Sequence, residues 1–167
     1  MVKVLFVCLG NICRSPTAEA VFRSVVNDAG LTDLVHVESC GTAGYHIGDA
    51  ADERSQAAAK QRGYDMSMLR GAQVQGADFD HYDYILAMDR ANLHDLKALC
   101  PEQHIEKLSL FLNFAHGFNE SEVPDPYYGG DKGFQHVLDL VEDASAGLLD
   151  SIRSNNGSSE INRKKQL

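Results

Sequence analysis

Apolar residues change their rhythm several times along this 167-residue chain, and each rhythm predicts an element. Val2 to Val7 is β-branched and largely apolar, the pattern of a short buried strand, and Gly10 stops it. Ala18, Val21, Phe22, Val25, Val26 and Ala29 then recur at helical spacing. Ser15 is the expected N-cap of that helix, Pro16 suits its first position, and Gly30 is a natural stop. A second strand fits Val35 to Ser39. Asp52 is placed to cap a helix running to Arg62, with Gly63 after it. Tyr84 to Met88 reads as a third strand. Asp89 caps a helix carrying Leu93, Leu96 and Leu99, which Pro101 ends. A fourth strand fits Ile105 to Leu108. A last long helix begins near Lys132 and turns Phe134, Val137, Leu138, Val141, Leu148 and Ile152 toward the core. From Ser154 the chain is polar and basic, so residues 154–167 are expected to be a disordered tail behind one domain, 1–153.

Strands alternating with helices predict an α/β fold: a single domain with a four-stranded parallel sheet and helices on both faces. Such sheets bind ligands at the carboxyl ends of their strands, so the site is expected just after Val7.

Composition narrows the classes of function. Hydrophobic residues make up 44% and charged residues 23%, ordinary for a globular domain. No apolar run approaches the ~18 residues of a membrane span. Val4 to Val7 is too short for a signal-peptide core, and a cytoplasmic chain starting near Met1 is expected. The net charge of -9 argues against general binding to nucleic acid or to an anionic membrane. An anionic substrate would therefore need a local positive site. Cys8, Cys13, Cys40 and Cys100 are too few for a disulfide scaffold, and neither they nor the seven histidines show metal-ligand spacing. No structural metal is expected.

The chemistry concentrates in Cys8-Leu9-Gly10-Asn11-Ile12-Cys13-Arg14-Ser15, between a strand and a helix. Loop amides and a helix start converge there, which suits an anion with several acceptor oxygens. Gly10 and Asn11 tolerate the left-handed backbone of such a phosphate-binding loop. Arg14 presents a planar fork that matches two phosphate oxygens. A helix start and a nearby cation also favour the thiolate of a cysteine, and Ser15 is placed to hydrogen-bond to Cys8. A thiolate facing a bound phosphoryl group is a nucleophile, and its displacement reaction needs a general acid. Val123-Pro124-Asp125-Pro126-Tyr127-Tyr128-Gly129-Gly130 offers one carboxylate on a proline-framed loop.

The run VCLGNICRSPTAEAVF, taken with EVPDPYYGG, resembles the low-molecular-weight protein tyrosine phosphatase family. SCGTAGYHIGDAADERS, YDYILAMDRANLHDL and the last helix are similar to that family in order and spacing. The resemblance implies a four-stranded parallel sheet and a phosphocysteine mechanism without cofactor. It implies that Cys8 is the nucleophile, Arg14 the phosphate clamp and Asp125 the acid and then the base. Asn11 and Ser15 would hold the loop and the thiolate. Tyr45 and Tyr127 would flank the substrate ring, which favours phosphotyrosine in a protein or peptide, and small aryl phosphates. A tyrosine kinase is an expected partner, and the chain is expected as a monomer or weak homodimer.

Competing readings stand beside these. A thiol-dependent arsenate reductase would use the same loop, but it needs a pair of resolving cysteines, and Cys40 and Cys100 are single and far apart. A non-catalytic phosphate-binding module would have no need of both Cys8 and Asp125. Cys13 reads either as a packing residue or as a disulfide partner that protects Cys8. Cys40 and Cys100 read as packing residues. Tyr127 and Tyr128 read as walls, with phosphorylation as the other reading. Asp89 reads as a helix cap, and Glu19 as a helix residue outside the chemistry.

Overall fold

The computed structural model describes residues 1–127 and 129–156, so Tyr128 and residues 157–167 lie outside the described residues. Four strands form one sheet: β1 (Val2–Cys8), β2 (Val35–Gly41), β3 (Tyr84–Ala87) and β4 (Leu108–Leu110). Every pairing is parallel and the order is β2-β1-β3-β4. Among the described residues five α-helices connect and follow them: α1 (Arg14–Asp28), α2 (Glu53–Gln61), α3 (Gly76–His81), α4 (Arg90–Leu99) and α5 (Asp131–Asn155).

The two faces of β1 show why its sequence is apolar throughout. Val4, Phe6 and Cys8 point into one core, with Phe22 and Val26 of α1, Ala58 and Ala59 of α2, and Val137, Leu138 and Val141 of α5. Leu5 and Val7 point into the other core, with Phe79 of α3, Leu96 of α4 and Ile85 and Ala87 of β3. A strand buried on both faces cannot alternate apolar with polar residues. Phe6 anchors the first core, its ring edge-on to Phe22 at 5.7 Å and to Phe111 at 4.8 Å between centroids.

Most predicted elements are present, with shifted ends. The α2 and α4 caps are as expected: Asp52 accepts from the Arg54 and Ser55 amides, and Asp89 accepts from the Asn92 amide. Gly30 and Gly63 take positive φ values of 70° and 88° at the ends of α1 and α2.

Ser15 is not a cap. Helix α1 starts two residues earlier than expected, with Cys13 at the N-cap position, and the Ser15 hydroxyl is engaged elsewhere. Pro16 is therefore the third helical residue, still within the turn whose amides lack helical partners. The fourth strand is displaced as well. Glu102–Lys107 forms a 3-10 helix, and β4 starts only at Leu108. Two short elements carried no readable period: α3 and a 3-10 turn at Phe111–Phe114. Helix α5 runs through Asn155, past the expected start of the tail, and Asn155 Nδ2 donates to the Tyr84 hydroxyl at 2.9 Å. No helix among the described residues is long and apolar enough to cross a membrane.

From β1 the chain steps outward to β2 on one side and later to β3 and β4 on the other. The switch point between β1 and β3 opens a crevice at their carboxyl ends. Cys8 ends β1, and Asp89 follows β3 by two residues.

Candidate active site

The loop from Cys8 to Cys13 turns its carbonyls outward. Cys8, Leu9 and Ile12 oxygens accept from the amides of Thr42, Ala43 and Asp52, at 2.8–3.0 Å. Cys13 oxygen accepts from both the amide and the hydroxyl of Thr17. A trans peptide holds its N–H opposite its C=O. The amides of Leu9, Gly10, Cys13 and Arg14 are thereby turned away from these partners, on a loop that lines the cleft and leads into a helix start, an arrangement suited to an anion. The close passage over β2 needs a glycine: a Cβ on Gly41 would meet Leu9 oxygen at 2.6 Å.

Asn11 is the hinge of the loop. Its φ is 57°, the left-handed region that asparagine tolerates better than most residues. Its Nδ2 donates to Ser15 Oγ at 2.8 Å and to Ser39 Oγ at 3.0 Å, and its Oδ1 accepts from the Ala72 amide at 2.9 Å. Its own amide donates to Cys8 Sγ at 3.2 Å.

Ser15 is fully buried beneath the loop, 2.9 Å from Cys8 Sγ. Its hydroxyl also reaches Cys40 oxygen at 3.2 Å. A hydroxyl has one proton to give. With a thiol at Cys8, Ser15 donates to Cys40 oxygen and accepts from the thiol. With a thiolate, it donates to sulfur instead. The site thus holds either form of Cys8 without a large movement.

Arg14 is 4% exposed. Its Nη1 donates to Asp89 Oδ2 at 2.6 Å and to Val123 oxygen at 3.2 Å, and its Nη2 lies 3.7 Å from Asp125 Oδ2. Burial works against its charge. The Asp89 hydrogen bond and the charges of Cys8, Asp89 and Asp125 outweigh this and hold its pKa above the ordinary value.

Asp125 stands on the loop between β4 and α5. Its Oδ1 accepts from the Tyr127 amide at 3.0 Å, so the same carboxylate closes a turn and faces Arg14. The Val123 amide donates to Met88 oxygen, which pins the start of this loop to the end of β3.

One cleft of about 260 Å³ gathers Cys8 to Arg14, Tyr45, His46, Asp125 and Tyr127. Every predicted site residue is brought there except Ser15, which supports the loop from below. Tyr45 and Tyr127, 78% and 42% exposed, stand at its rim.

Other participants were missed. His46 packs against Gly10 and lies 3.1 Å from Asp49; a lone loop histidine carried no signal. Asp89 holds Arg14 as well as capping α4, and only the cap was visible in its local context. Glu19 is buried and not idle: it accepts from Ser39 Oγ at 2.6 Å, and Ser39 in turn accepts from Asn11. Burial raises the Glu19 pKa above its ordinary value, against the opposing pull of Ser39 and Arg23.

The remaining cysteines differ in setting. Cys13 is buried, and burial pushes its thiol up to about 12. Cys40 is buried in the second core, where burial raises its thiol well above the ordinary value. Cys100 is half-buried and packs at the edge of that core.

The sequence matches the family described as low molecular weight phosphotyrosine protein phosphatase over residues 3–162. A low molecular weight protein-tyrosine-phosphatase from Streptomyces coelicolor is 45% identical over 154 residues, which are 90% of this chain and 93% of that protein. The low molecular weight phosphotyrosine protein phosphatase of Homo sapiens is 43% identical over 136 residues, 81% of this chain and 85% of its own. The crystal structure of a protein tyrosine phosphatase from Entamoeba histolytica, with Hepes in its active site, superposes with a TM-score of 0.89. It is 44% identical, and the match covers 95% of this chain and 100% of that one. Matched in sequence and in fold over nearly its whole length, the chain belongs to the low molecular weight phosphotyrosine protein phosphatase family and is a protein-tyrosine phosphatase, a hydrolase.

Proposed function

We propose that Cys8 is the nucleophile, Arg14 the phosphate clamp and Asp125 the general acid and then the base, acting on phosphotyrosine in a protein or peptide. One observation carries this reading: the Cys8 thiol, the buried Arg14 and the Asp125 carboxylate face a single cleft, with Asp125 Oδ2 3.7 Å from Arg14 Nη2.

The substrate dianion enters the cradle of loop amides and takes Arg14 as a bidentate partner. The Cys8 thiolate attacks phosphorus. As the S–P bond forms, the P–O bond to the aryl group breaks, and Asp125 gives its proton to the leaving oxygen. The Asp125 carboxylate then takes a proton from water, which attacks the phosphocysteine and releases inorganic phosphate and the thiolate. Ser15 and the Asn11 amide are placed to donate to the sulfur each time the thiolate is regenerated. Arg14 holds the charge of the transferring group, with Asp89 behind it. Tyr45 and Tyr127 take the faces of the substrate ring. Arsenate reduction is the weaker reading, because Cys40 is buried in the core and Cys100 ends α4 alone.

The test is a comparison of substrates. Cys8→Ser should bind vanadate or phosphate and lose at least about a thousandfold in turnover of an aryl phosphate. Asp125→Asn should lose about a hundredfold or more with poor leaving groups, and far less with good ones. Retained turnover by Cys8→Ser overturns the nucleophile. Arsenate-dependent thiol oxidation faster than phosphotyrosine hydrolysis would favour the reductase.

A further inference from the structure

Arg54 does not line the cleft, yet it joins the two loops that make it. It sits in the first turn of α2, and its guanidinium lies 5.3 Å from the Tyr127 ring centroid and 4.9 Å from that of Phe134. Its Nη2 donates to Tyr127 oxygen at 3.0 Å. The same nitrogen lies 3.3 Å from Asp52 Oδ2, while Nε reaches Asp52 Oδ1 at 3.4 Å.

Asp52 faces the other way as well. Its amide donates to Ile12 oxygen in the phosphate loop at 2.8 Å. Three consecutive residues, 52 to 54, therefore hold the phosphate loop at one end and the loop of Asp125 at the other. The Tyr127 amide donates to Asp125 Oδ1, so a fixed Tyr127 backbone fixes the Asp125 carboxylate. A planar guanidinium can stack on a ring, bond a carbonyl and pair with a carboxylate at once, which an ammonium cannot.

We propose that Arg54 is a positioning residue: it sets Asp125 over the phosphate loop by clamping Tyr127 to the α2 cap. The inference rests on the assignment of Asp125 as the acid. Misplacing an acid by a fraction of an ångström weakens proton transfer to the leaving group and leaves binding of the phosphoryl group largely intact.

The experiment measures kcat/KM of Arg54→Ala with phenyl phosphate, a poor leaving group, and with 2,4-dinitrophenyl phosphate, which needs no acid. The same pair is measured in the Asp125→Asn background. Arg54→Ala should lose about tenfold or more with phenyl phosphate and less than about threefold with the dinitrophenyl ester. In the Asp125→Asn background the Arg54→Ala loss should vanish, because the group it positions is gone. Arg54→Lys keeps charge but not the planar fork, and should show the same selectivity at smaller amplitude even where the alanine variant folds poorly. Equal losses with both esters, or full additivity with Asp125→Asn, overturn the role of Arg54 alone. A flat leaving-group response of Asp125→Asn itself overturns the acid assignment and this inference together.

Discussion

Arg14 Nη1 rests on Asp89 Oδ2 at 2.6 Å, a contact between residues 75 apart in sequence that joins the phosphate loop to the start of α4. Asp89 serves both sides with separate oxygens: Oδ1 accepts from the Asn92 amide at 2.7 Å, and Oδ2 holds Arg14. The cap orients the carboxylate, and the carboxylate orients Arg14.

The two roles of Asp89 separate by substitution. Asparagine still caps a helix but brings no charge to Arg14. Asp89→Asn should lower kcat/KM on an aryl phosphate about ten- to a hundredfold and cost about 1–3 kcal/mol of stability, since a buried cation loses its nearest partner. Asp89→Ala should cost about 1 kcal/mol more through the lost cap. Urea unfolding of the two variants checks this; equal stabilities would mean that the cap adds nothing.

Asn11 offers a test of backbone against side chain. Glycine adopts its φ of 57° freely and alanine does not. Both lose the bonds to Ser15, Ser39 and the Ala72 amide. Asn11→Gly should destabilise by about 1–3 kcal/mol, and Asn11→Ala by about 1 kcal/mol beyond that. Inhibition by inorganic phosphate should weaken in both, because the loop amides lose their fixed direction. Unchanged inhibition in Asn11→Gly would show that the outward carbonyl bonds alone shape the cradle.

Cys13 gives a pH signature. Burial raises its thiol from 9.0 to about 12. A raised pKa means that the folded state keeps a proton which the unfolded state releases. The stabilisation is complete below pH 9 and is lost as pH rises toward 12. Denaturation curves should show stability falling across that window, with a shallower fall in Cys13→Ala. Alkylation should agree: at neutral pH the Cys13 thiol in a folded Cys8→Ser variant should stay unlabelled until denaturant is added. Rapid labelling at Cys13 itself in the native variant, located by peptide mapping, would contradict its burial.

Much of this protein was legible in its sequence, and the reason is locality. A strand buried on both faces has to be apolar without interruption, as Val4 to Val7 are, and an amphipathic helix has to repeat as Phe134, Val137, Leu138 and Val141 do. Asp52 and Asp89 cap within three residues of themselves. Misreadings came where one residue served a distant partner. Ser15 has the chemistry of a cap, but its hydroxyl is committed to Cys8, so the helix begins at Arg14 without it. Ile105 has strand propensity, but Glu102–Lys107 coils as a 3-10 helix and leaves the sheet only Leu108–Leu110.

By itself the sequence marked Cys8 to Ser15 as an anion loop and Cys8 as its proposed nucleophile, because that segment is one continuous run of near neighbours. Only the tertiary structure decided what stands around that loop. The order β2-β1-β3-β4 brings the end of β3 beside the end of β1, and so sets Asp89 against Arg14. The bond from Val123 to Met88 carries Asp125 to the same crevice, and Arg54 ties that loop to the α2 cap. These contacts join residues that no local pattern relates. Their energies depend on distances between side chains that only the folded sheet brings together.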